Sequence, residues 1–270
     1  VLTSRGCPFF CIYCNKSNFG RKFRYRSAEN VAKEIMGLIN NYSVEDIYFI
    51  DDVFTYDKER VILLCDLMRK EGVHVKWRCS GGTRIDCINE ELLKHMKDAG
   101  CYQISFGVES GNEIVLKKIG RNVTKSQIRH AFKLSKESGI ETIAFFMLGL
   151  PYDTKETMQE TIDFSIELDP DYAQFTITTP LPETPLWNFV KKRGTFLFNI
   201  NLSDFNFFEK KAKFITEGFT AEDVVYYYDK AYRSFYFRPK YLLKALMRVR
   251  SLRDVKGLFA SAFTVFNILK

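Results

Sequence analysis

The sequence predicts an α/β protein: a partial (β/α)6 TIM-like barrel, open on one side, with a mainly helical C-terminal tail. Two observations predict this fold class. Short apolar runs alternate with segments of helical periodicity six times between residues 1 and 185, and polar or glycine-rich residues follow these runs. Such alternation indicates a parallel sheet with crossover helices, and six units fit a partial barrel.

The predicted strands are short and apolar, as is typical of strands that are buried on both faces. We expect them at residues 1–4, 46–50, 74–78, 102–106, 142–148 and 172–178. The first one reads as the end of a strand with nothing in front of it. We therefore expect the chain to be part of a longer protein whose N-terminal domain lies before Val1.

The starts of the intervening helices carry capping residues. We expect N-caps at Ser27, Asn89, Thr124 and Asp153, and the last two have the pattern of a capping box. A further helix is predicted over residues 57–71 from apolar positions at helical spacing. Each of these segments is long enough to cross from one parallel strand to the next.

Polar residues cluster after the predicted strands. In parallel barrels the chemistry lies at the C-terminal ends of the strands, so we expect these residues to meet at one mouth. They are Asp51, Asp52, Arg84, Asp86, Glu109, Ser110, Gly149 and Pro180, together with the loop at residues 7–14. A purely structural interpretation also exists, because Asp is common in turns and Arg84 could pair only with Asp86.

Three cysteines, Cys7, Cys11 and Cys14, follow the first strand with the spacing C-x3-C-x2-C. Gly6 and Pro8 break regular structure there, which places the thiols on a loop. Iron–sulfur clusters are held by cysteine thiolates, normally four, so three ligands would leave one iron open to chemistry. Structural zinc, which would need a fourth ligand, and three buried thiols without a metal are the alternatives. The odd total of seven cysteines disfavours a disulfide framework.

The run Cys7-Pro8-Phe9-Phe10-Cys11-Ile12-Tyr13-Cys14 resembles the C-x3-C-x-aromatic-C signature of radical SAM enzymes. The resemblance implies that Cys7, Cys11 and Cys14 bind a [4Fe–4S] cluster whose open iron chelates S-adenosylmethionine (SAM). In that family the reduced cluster cleaves SAM to a 5′-deoxyadenosyl radical. The protein supplies binding, orientation and exclusion of water.

The same resemblance implies roles for the residues at the strand ends. Tyr13 would pack beside the adenine, and Asp51 or Asp52 would bind the SAM amino group. Glu109, with Ser110 beside it, would contact SAM through its carboxylate. Two further SAM contacts are expected at Arg84, with the SAM carboxylate, and at Gly149, in the wall around the adenine.

Residues 7–187 are similar to the radical SAM domain of the cobalamin-binding branch, through Asp-Asp-x-Phe, Gly-Val-Glu-Ser-Gly, Gly-Leu-Pro and Thr-Pro-Leu-Pro-Glu-Thr-Pro-Leu-Trp. In that branch a B12-binding domain precedes the barrel, so cobalamin would be bound through a domain in front of Val1. Members methylate unactivated carbons or close rings oxidatively on small-molecule or lipid substrates. We also expect an electron donor such as flavodoxin or ferredoxin. The alternatives are an Fe–S electron-transfer or metal-binding module that does not use SAM, a tRNA-modifying radical SAM enzyme, and a membrane-associated scaffold.

The C-terminal tail carries the basic charge of the chain. Residues 230–270 contain ten Lys or Arg and one acid, Asp254, for a net charge of +9 against +7 for the whole chain. Leu242, Leu246, Val249 and Phe259 belong to one apolar helical stripe. This helix could pack on the barrel, lie on an anionic membrane surface or contact nucleic acid, which the lack of a recognisable RNA-binding module disfavours.

From these patterns we predict a core barrel at residues 1–195 and a helical, basic extension at residues 196–270. No apolar run approaches the ~20 residues that cross a bilayer. We therefore expect a cytoplasmic protein with peripheral contact at the inner membrane surface through residues 230–270. The four scattered cysteines, at positions 65, 79, 87 and 101, are predicted to be small buried hydrophobic residues.

Overall fold

The computed structural model describes residues 1–198 and 209–247 and, beyond them, Phe263, Val265 and Ile268. The chain forms two compact units. The first unit comprises Val1–Glu109, Leu116–Phe145 and Pro170–Gln174, and the second comprises Ser110–Val115, Phe146–Asp169 and Phe175–Lys270. The division into a barrel and an extension at residue 195 stays a prediction.

The strands confirm the predicted α/β class with a central parallel sheet. The sheet has five strands in the order β3-β4-β5-β6-β7, and β4 pairs in parallel with both β3 and β5. The strands are β1 (Ser4–Arg5), β2 (Arg24–Tyr25), β3 (Asp46–Phe49), β4 (Lys76–Thr83), β5 (Cys101–Glu109), β6 (Glu141–Leu148), β7 (Tyr172–Ile177), β8 (Thr195–Phe196) and β9 (Phe214–Ile215).

The first predicted strand divides its hydrogen bonds between two partners. The Val1 amino group donates to the Tyr48 carbonyl at 2.7 Å, and the Ile50 N–H donates to the Val1 carbonyl at 3.2 Å. Val1 thus lies along the free edge of β3, as a further unit of the barrel requires. From Ser4 onward the chain pairs antiparallel with β2 instead.

Nine helices lie within the described ranges, and their capping residues agree with the sequence in most cases. They are α1 (Ala28–Tyr42), α2 (Lys58–Lys70), α3 (Glu90–Asp98), α4 (Glu113–Lys118), α5 (Lys125–Glu137), α6 (Lys155–Leu168), α7 (Pro185–Arg193), α8 (Ala221–Tyr236) and α9 (Pro239–Met247). The side chains of Ser27, Asn89 and Thr124 accept first-turn N–H groups as predicted. The N-cap of α6 is Thr154 rather than Asp153, because the Asp153 carboxylate is occupied within the preceding turn.

An aromatic core supports β3 and β4 in the first unit. The Phe49 and Phe54 rings stack with their centroids 4.6 Å apart, and Trp77 meets Phe49 edge-on at 5.2 Å. The Trp77 indole N–H donates to the Ala99 carbonyl at 2.8 Å, so its only polar atom is satisfied. This core fixes the strands whose ends carry Asp51, Asp52 and Arg84.

In the second unit, α8 closes the outer edge of β7. The Tyr232 hydroxyl donates to the Phe175 carbonyl at 3.1 Å and lies 3.3 Å from the Phe175 N–H. Covering an edge in this way prevents further strand pairing. After α8, Arg238 donates to Asp169 at 2.7 Å and so anchors the start of α9. The helical tail is thereby confirmed, although β8 and β9 form a short antiparallel ladder within it.

Candidate functional site

The loop that carries the three predicted cluster ligands lies between β1 and β2, and two glycines fix its position. At Gly6 (φ +88°) a Cβ atom would be 2.3 Å from the Lys22 carbonyl oxygen, and at Gly120 (φ +77°) it would be 2.5 Å from the Phe10 carbonyl oxygen. Glycine is required where positive φ and such close approach coincide. The two ends of the loop are therefore in close contact with each other, and the loop packs against the backbone at Gly120.

Cationic side chains face the thiols of this loop. Cys7 is buried, Cys11 and Cys14 are half-buried, and all three are free. The Lys16 ammonium lies beside the thiols of Cys14 and Cys7: burial lowers the pKa of Lys16, and these two groups raise it. Nη1 of Arg84 lies 3.9 Å from Sγ of Cys11. Burial raises the pKa of the Cys14 thiol, and the Lys16 charge opposes that rise. Nearby cations favour the thiolate form that binds metals.

The residues of the cysteine loop are of the kind that hold an iron–sulfur cluster. In residues 1–198 and 209–247, no three Cys, His, Asp or Glu side chains are gathered as ligands of one metal ion. An iron–sulfur cluster is a larger body that binds its cysteines at different iron atoms. Three free thiols on one short loop, with cations beside them, fit that group.

The two carboxylates that follow β3 have different surroundings. Asp51 is buried and accepts hydrogen bonds from the Thr3 N–H at 3.1 Å, the Thr3 hydroxyl at 2.7 Å and the Ser4 hydroxyl at 2.5 Å. Asp52 is exposed, and its Oδ2 accepts the Gly6 N–H at 3.0 Å. Asp51 therefore ties the start of the chain to the sheet, while Asp52 lies beside the cysteine loop within reach of a ligand.

A buried ionic cluster lies at the end of β5. The Glu109 carboxylate is hydrogen-bonded to Tyr13 and faces the charge of Arg121, which donates to the Gly107 carbonyl. Burial raises the pKa of the Glu109 carboxyl, and Arg121 and the Tyr13 hydrogen bond oppose this rise. Glu109 has φ +71°, and strained non-glycine backbone of this kind concentrates at functional sites. The structure thus brings the predicted residues Tyr13 and Glu109 together.

Two arginines approach Cys11. The Arg121 guanidinium lies close enough to its thiol to interact with it electrostatically, and Nη1 of Arg84 is hydrogen-bonded to it. Arg84 also forms two 2.8 Å hydrogen bonds with Asp86 and donates to the Arg121 carbonyl at 3.1 Å. The Arg84–Asp86 pairing of the structural interpretation is therefore present, and the same guanidinium reaches the cysteine loop.

Arg121 is a site residue that sequence reasoning missed. It follows Gly120 and precedes the capped helix α5, a context that is equally typical of an exposed loop. Its neighbours Tyr13 and Cys11 lie near the N-terminus of the chain, far from Arg121 in the sequence. The available signal in the sequence was the pair Gly120-Arg121, and it is weak without the fold.

The remaining predicted residues, Ser110 and Gly149, belong to the second unit. The Ser110 hydroxyl is buried, lies 3.3 Å from the Thr161 hydroxyl and accepts the Asn112 N–H at 3.1 Å. At Gly149 (φ +71°) a Cβ atom would be 3.0 Å from the Val224 side chain. These contacts explain both residues structurally, and their contacts with SAM stay predictions.

The turn that follows Gly149 is held by a buried carboxyl group. Asp153 accepts the Leu150 N–H and the Thr157 hydroxyl, each at 2.8 Å. Burial raises the pKa of Asp153 to about 7. The folded chain therefore keeps this proton over a range in which the unfolded chain, with a pKa of about 3.9, has lost it.

We expect this carboxyl group to make the folded chain less stable as the pH rises from about 5 to about 7. The folded state binds more protons than the unfolded state there, so each pH unit costs up to about 1.4 kcal/mol. Asp153→Asn replaces the carboxyl group by a neutral amide of the same shape and should remove this pH dependence. The free energy of unfolding of the variant relative to that of the wild type should therefore rise with pH until about pH 7. Urea unfolding across this range measures it, with the exposed Asp163→Asn as control. Parallel stability curves for wild type and Asp153→Asn would contradict the prediction.

Sequence comparison places these residues in a known family. Residues 1–165 match the Radical SAM superfamily. An uncharacterized methyltransferase of Pyrococcus horikoshii is 37% identical over 262 residues, which cover 96% of this chain and 56% of that protein. The anaerobic magnesium-protoporphyrin IX monomethyl ester cyclase of Cereibacter sphaeroides is 31% identical over 257 residues, covering 90% of this chain and 42% of the cyclase. The chain thus spans about half the length of the curated relatives it matches.

The fold has counterparts among solved structures. The cobalamin-dependent SAM radical enzyme OxsB, solved with aqua-cobalamin and SAM bound, superposes with a TM-score of 0.70 at 20% identity, covering 98% of this chain and 45% of OxsB. At that identity the likeness concerns the fold. The matched range, residues 1–165, spans the positions of the cysteine loop, Asp51, Asp52, Glu109 and Arg121. The chain belongs to the radical SAM superfamily.

Proposed function

We propose that this chain is the core of a radical SAM enzyme that activates a C–H bond for methyl transfer or oxidative cyclisation on a small-molecule or lipid substrate. The observation that carries the proposal is the cysteine loop, with three free thiols facing Lys16 and Arg84. Cys7, Cys11 and Cys14 would hold a [4Fe–4S] cluster, which with SAM supplies reductive cleavage and radical chemistry.

The side chains around the loop bind and orient SAM in this proposal. Asp52, exposed beside Gly6, accepts a hydrogen bond from the SAM amino group, and Arg84 forms an ion pair with the SAM carboxylate. Tyr13 flanks the adenine, and Glu109 accepts hydrogen bonds from SAM. Burial raises the pKa of the Glu109 carboxyl, and the positive charge of Arg121 opposes that rise and so favours the ionised form. These residues also exclude water from the reacting atoms.

The names of the relatives support a cobalamin-associated branch. One relative is named a methyltransferase and the other a cyclase of magnesium-protoporphyrin IX monomethyl ester, while the structurally similar OxsB binds cobalamin. We propose that cobalamin takes part through a domain outside residues 1–270, because the chain spans about half of its relatives. Residues 1–195 then act as the catalytic barrel.

Anaerobic reconstitution with iron and sulfide tests the proposal. The dithionite-reduced chain should give the EPR signal of a reduced [4Fe–4S] cluster, the signal should shift when SAM is added, and 5′-deoxyadenosine should form. Asp52→Ala should keep the cluster and lose the shift. A cluster that is indifferent to SAM would favour the electron-transfer module, and zinc bound in place of iron would overturn the proposal.

Helix α9 exposes an apolar face that suits peripheral contact with a membrane. Leu243, Leu246 and Met247 are 59%, 62% and 67% exposed, while Tyr241 on the opposite side is buried. The predicted stripe through Leu242 and Leu246 therefore does not pack on the barrel within the described residues. The rest of the stripe, at positions 249, 252, 255 and 259, lies outside them. No helix in the described ranges has the length and apolarity to span a bilayer.

We expect the chain to bind anionic vesicles through this face, because basic amphipathic helices bury their apolar side at the headgroup boundary. Leu243→Ser with Leu246→Ser should lower the affinity for phosphatidylglycerol-containing vesicles by about tenfold or more. Ile114→Ser removes an equally exposed side chain elsewhere and serves as control. Sedimentation with these vesicles and with pure phosphatidylcholine measures the effect. Equal binding by both variants would exclude the apolar face of α9 as the membrane contact.

A further inference from the structure

The outer face of the cysteine loop is strongly basic. Residues 1–28 contain six Lys or Arg and no Asp or Glu, although the whole chain has 40 Lys or Arg and 33 Asp or Glu. Four of these cations, Arg5, Arg21, Lys22 and Arg24, are exposed, and we call them the basic collar. Within the described ranges none of the four forms an ion pair with a carboxylate. The collar is thus available to an anionic partner.

Aromatic rings lie among these cations. Phe10 is 68% exposed and its ring centroid lies 4.1 Å from Cζ of Arg21. Phe19 is 37% exposed, with Cζ of Arg5 at 5.9 Å. Arginine and aromatic side chains are enriched at the centres of protein interfaces. A small anion would need the cations alone, whereas the exposed rings offer apolar area that a protein partner can bury.

The basic collar is the outside of the same loop that carries the thiols. The Cys7 N–H donates to the Gly20 carbonyl at 3.2 Å, directly before Arg21 and Lys22. Nη1 of Arg21 in turn donates to the Phe9 carbonyl at 3.3 Å. A protein seated on the collar is therefore separated from the thiols by the thickness of one loop, and a short separation of this kind favours electron transfer.

We infer that the basic collar with Phe10 is the docking surface for a small acidic electron-donor protein of the flavodoxin or ferredoxin class. This inference rests on the proposed function, because a reductive cleavage needs a supply of single electrons. With flavodoxin, the anionic flavin hydroquinone would lose one electron and become the neutral semiquinone without a proton transfer, and a cluster held by Cys7, Cys11 and Cys14 would accept that electron. No covalent bond of this chain changes.

Electrostatic steering sets the expected kinetics. Opposite charges on two protein surfaces raise association rates by about 10- to 1000-fold at low salt. Complexes between redox proteins are weak and bury small interfaces, so the loss of two charges should lower the affinity and the association rate markedly. Salt screens exposed charges over a Debye length of about 10 Å at 0.1 M. Reduction by the protein donor should therefore slow as salt rises.

The first test measures binding without a cluster. Oxidised flavodoxin is titrated into the cluster-free full chain and into the variants Arg21→Glu/Arg24→Glu and Lys33→Glu/Lys94→Glu. The control lysines are exposed on α1 and α3, away from the loop in sequence. The collar variant should lose about tenfold or more in affinity, and the control should stay within about twofold. Equal affinities for the three proteins would overturn the inference.

The second test measures reduction of the reconstituted cluster by stopped flow. Flavodoxin hydroquinone should reduce the collar variant at least about tenfold more slowly than the wild type, whereas a reduced viologen, which is a cation, should reduce both at similar rates. Arg21→Gln/Arg24→Gln, which keeps N–H donors for the Phe9 and Phe19 carbonyls, guards against a distorted loop and should show an intermediate rate. Equal flavodoxin rates at equal iron content would overturn the inference.

The two proposals fail in different ways. If no variant, including the wild type, binds iron, the proposed function fails while the binding test still decides the docking surface. If the collar variant loses affinity for an oligonucleotide but keeps its affinity for flavodoxin, the collar binds nucleic acid and the inference is overturned. Phe10→Ala should weaken flavodoxin binding severalfold at any salt concentration, because its contribution is apolar.

Discussion

Cys11→Ala is expected to abolish cluster binding, so that the iron content of the anaerobically reconstituted chain falls from about four per chain to background. Two thiolates on a loop cannot hold a cluster that already has one open iron. Cys11 is also the thiol that both Arg84 and Arg121 approach, so its loss leaves two buried guanidinium groups without their sulfur partner. Iron analysis and the absorbance of the reconstituted chain measure the effect.

Cys65→Ala is the matched control for this prediction. Cys65 is a buried free thiol on α2, away from the cysteine loop, and burial raises its pKa. Its replacement should cost about 1 kcal/mol of stability through lost packing and should leave the iron content unchanged. Full iron binding by Cys11→Ala, or equal loss in both variants, would show that the loop does not hold the cluster.

Asp51→Ala is expected to lower the free energy of unfolding by about 3 kcal/mol, even in the chain without a cluster or SAM. The substitution leaves the Thr3 N–H and the Ser4 hydroxyl buried without their acceptor. It also removes the negative charge beside Arg60, which donates to the Thr3 hydroxyl at 3.2 Å. Urea unfolding of the cluster-free chain measures the loss.

Asp52→Ala separates this anchoring role from a role in binding SAM. Asp52 is exposed and accepts one hydrogen bond, from Gly6, so its loss should cost no more than about 0.5 kcal/mol. We expect it to weaken SAM binding instead, because its carboxylate lies beside the cysteine loop. If Asp51→Ala kept full stability and lost SAM binding alone, the assignment of the two neighbouring carboxylates would be reversed.

Local chemistry explains why the elements were predictable. Ser27, Asn89 and Thr124 cap their helices as the sequence indicates, because a hydroxyl or amide oxygen placed before an apolar period satisfies N–H groups within three residues. The exception at α6 is informative. Asp153 has the right spacing, but its carboxylate is taken by the turn after β6, and Thr154 caps the helix. Either of two adjacent polar residues can cap the helix while the other holds the turn, and the sequence pattern of the helix start is the same in both cases.

The sequence leaves the surroundings of the helical stripe in the tail open. The spacing of Leu242 and Leu246 predicts an amphipathic helix, and α9 confirms the helix. Periodicity alone cannot say whether an apolar face is buried, since that depends on what packs against it. In the structure Arg238 and Lys240 bind Asp169, which turns Tyr241 inward and leaves the leucines exposed.

The sequence by itself determined the fold class, the loop with three cysteines and the family, because these depend on short-range patterns: period, capping and ligand spacing. The tertiary structure decided which of two neighbouring residues is buried and which residues meet at the site. It buried Asp51 under Thr3 and left Asp52 exposed, and it brought Arg121 to Tyr13, Glu109 and Cys11. Apart from the pair Glu109–Arg121, these contacts join residues that are at least 46 positions apart in the sequence. The pairing of such distant residues follows from strand order and register, which local sequence does not encode.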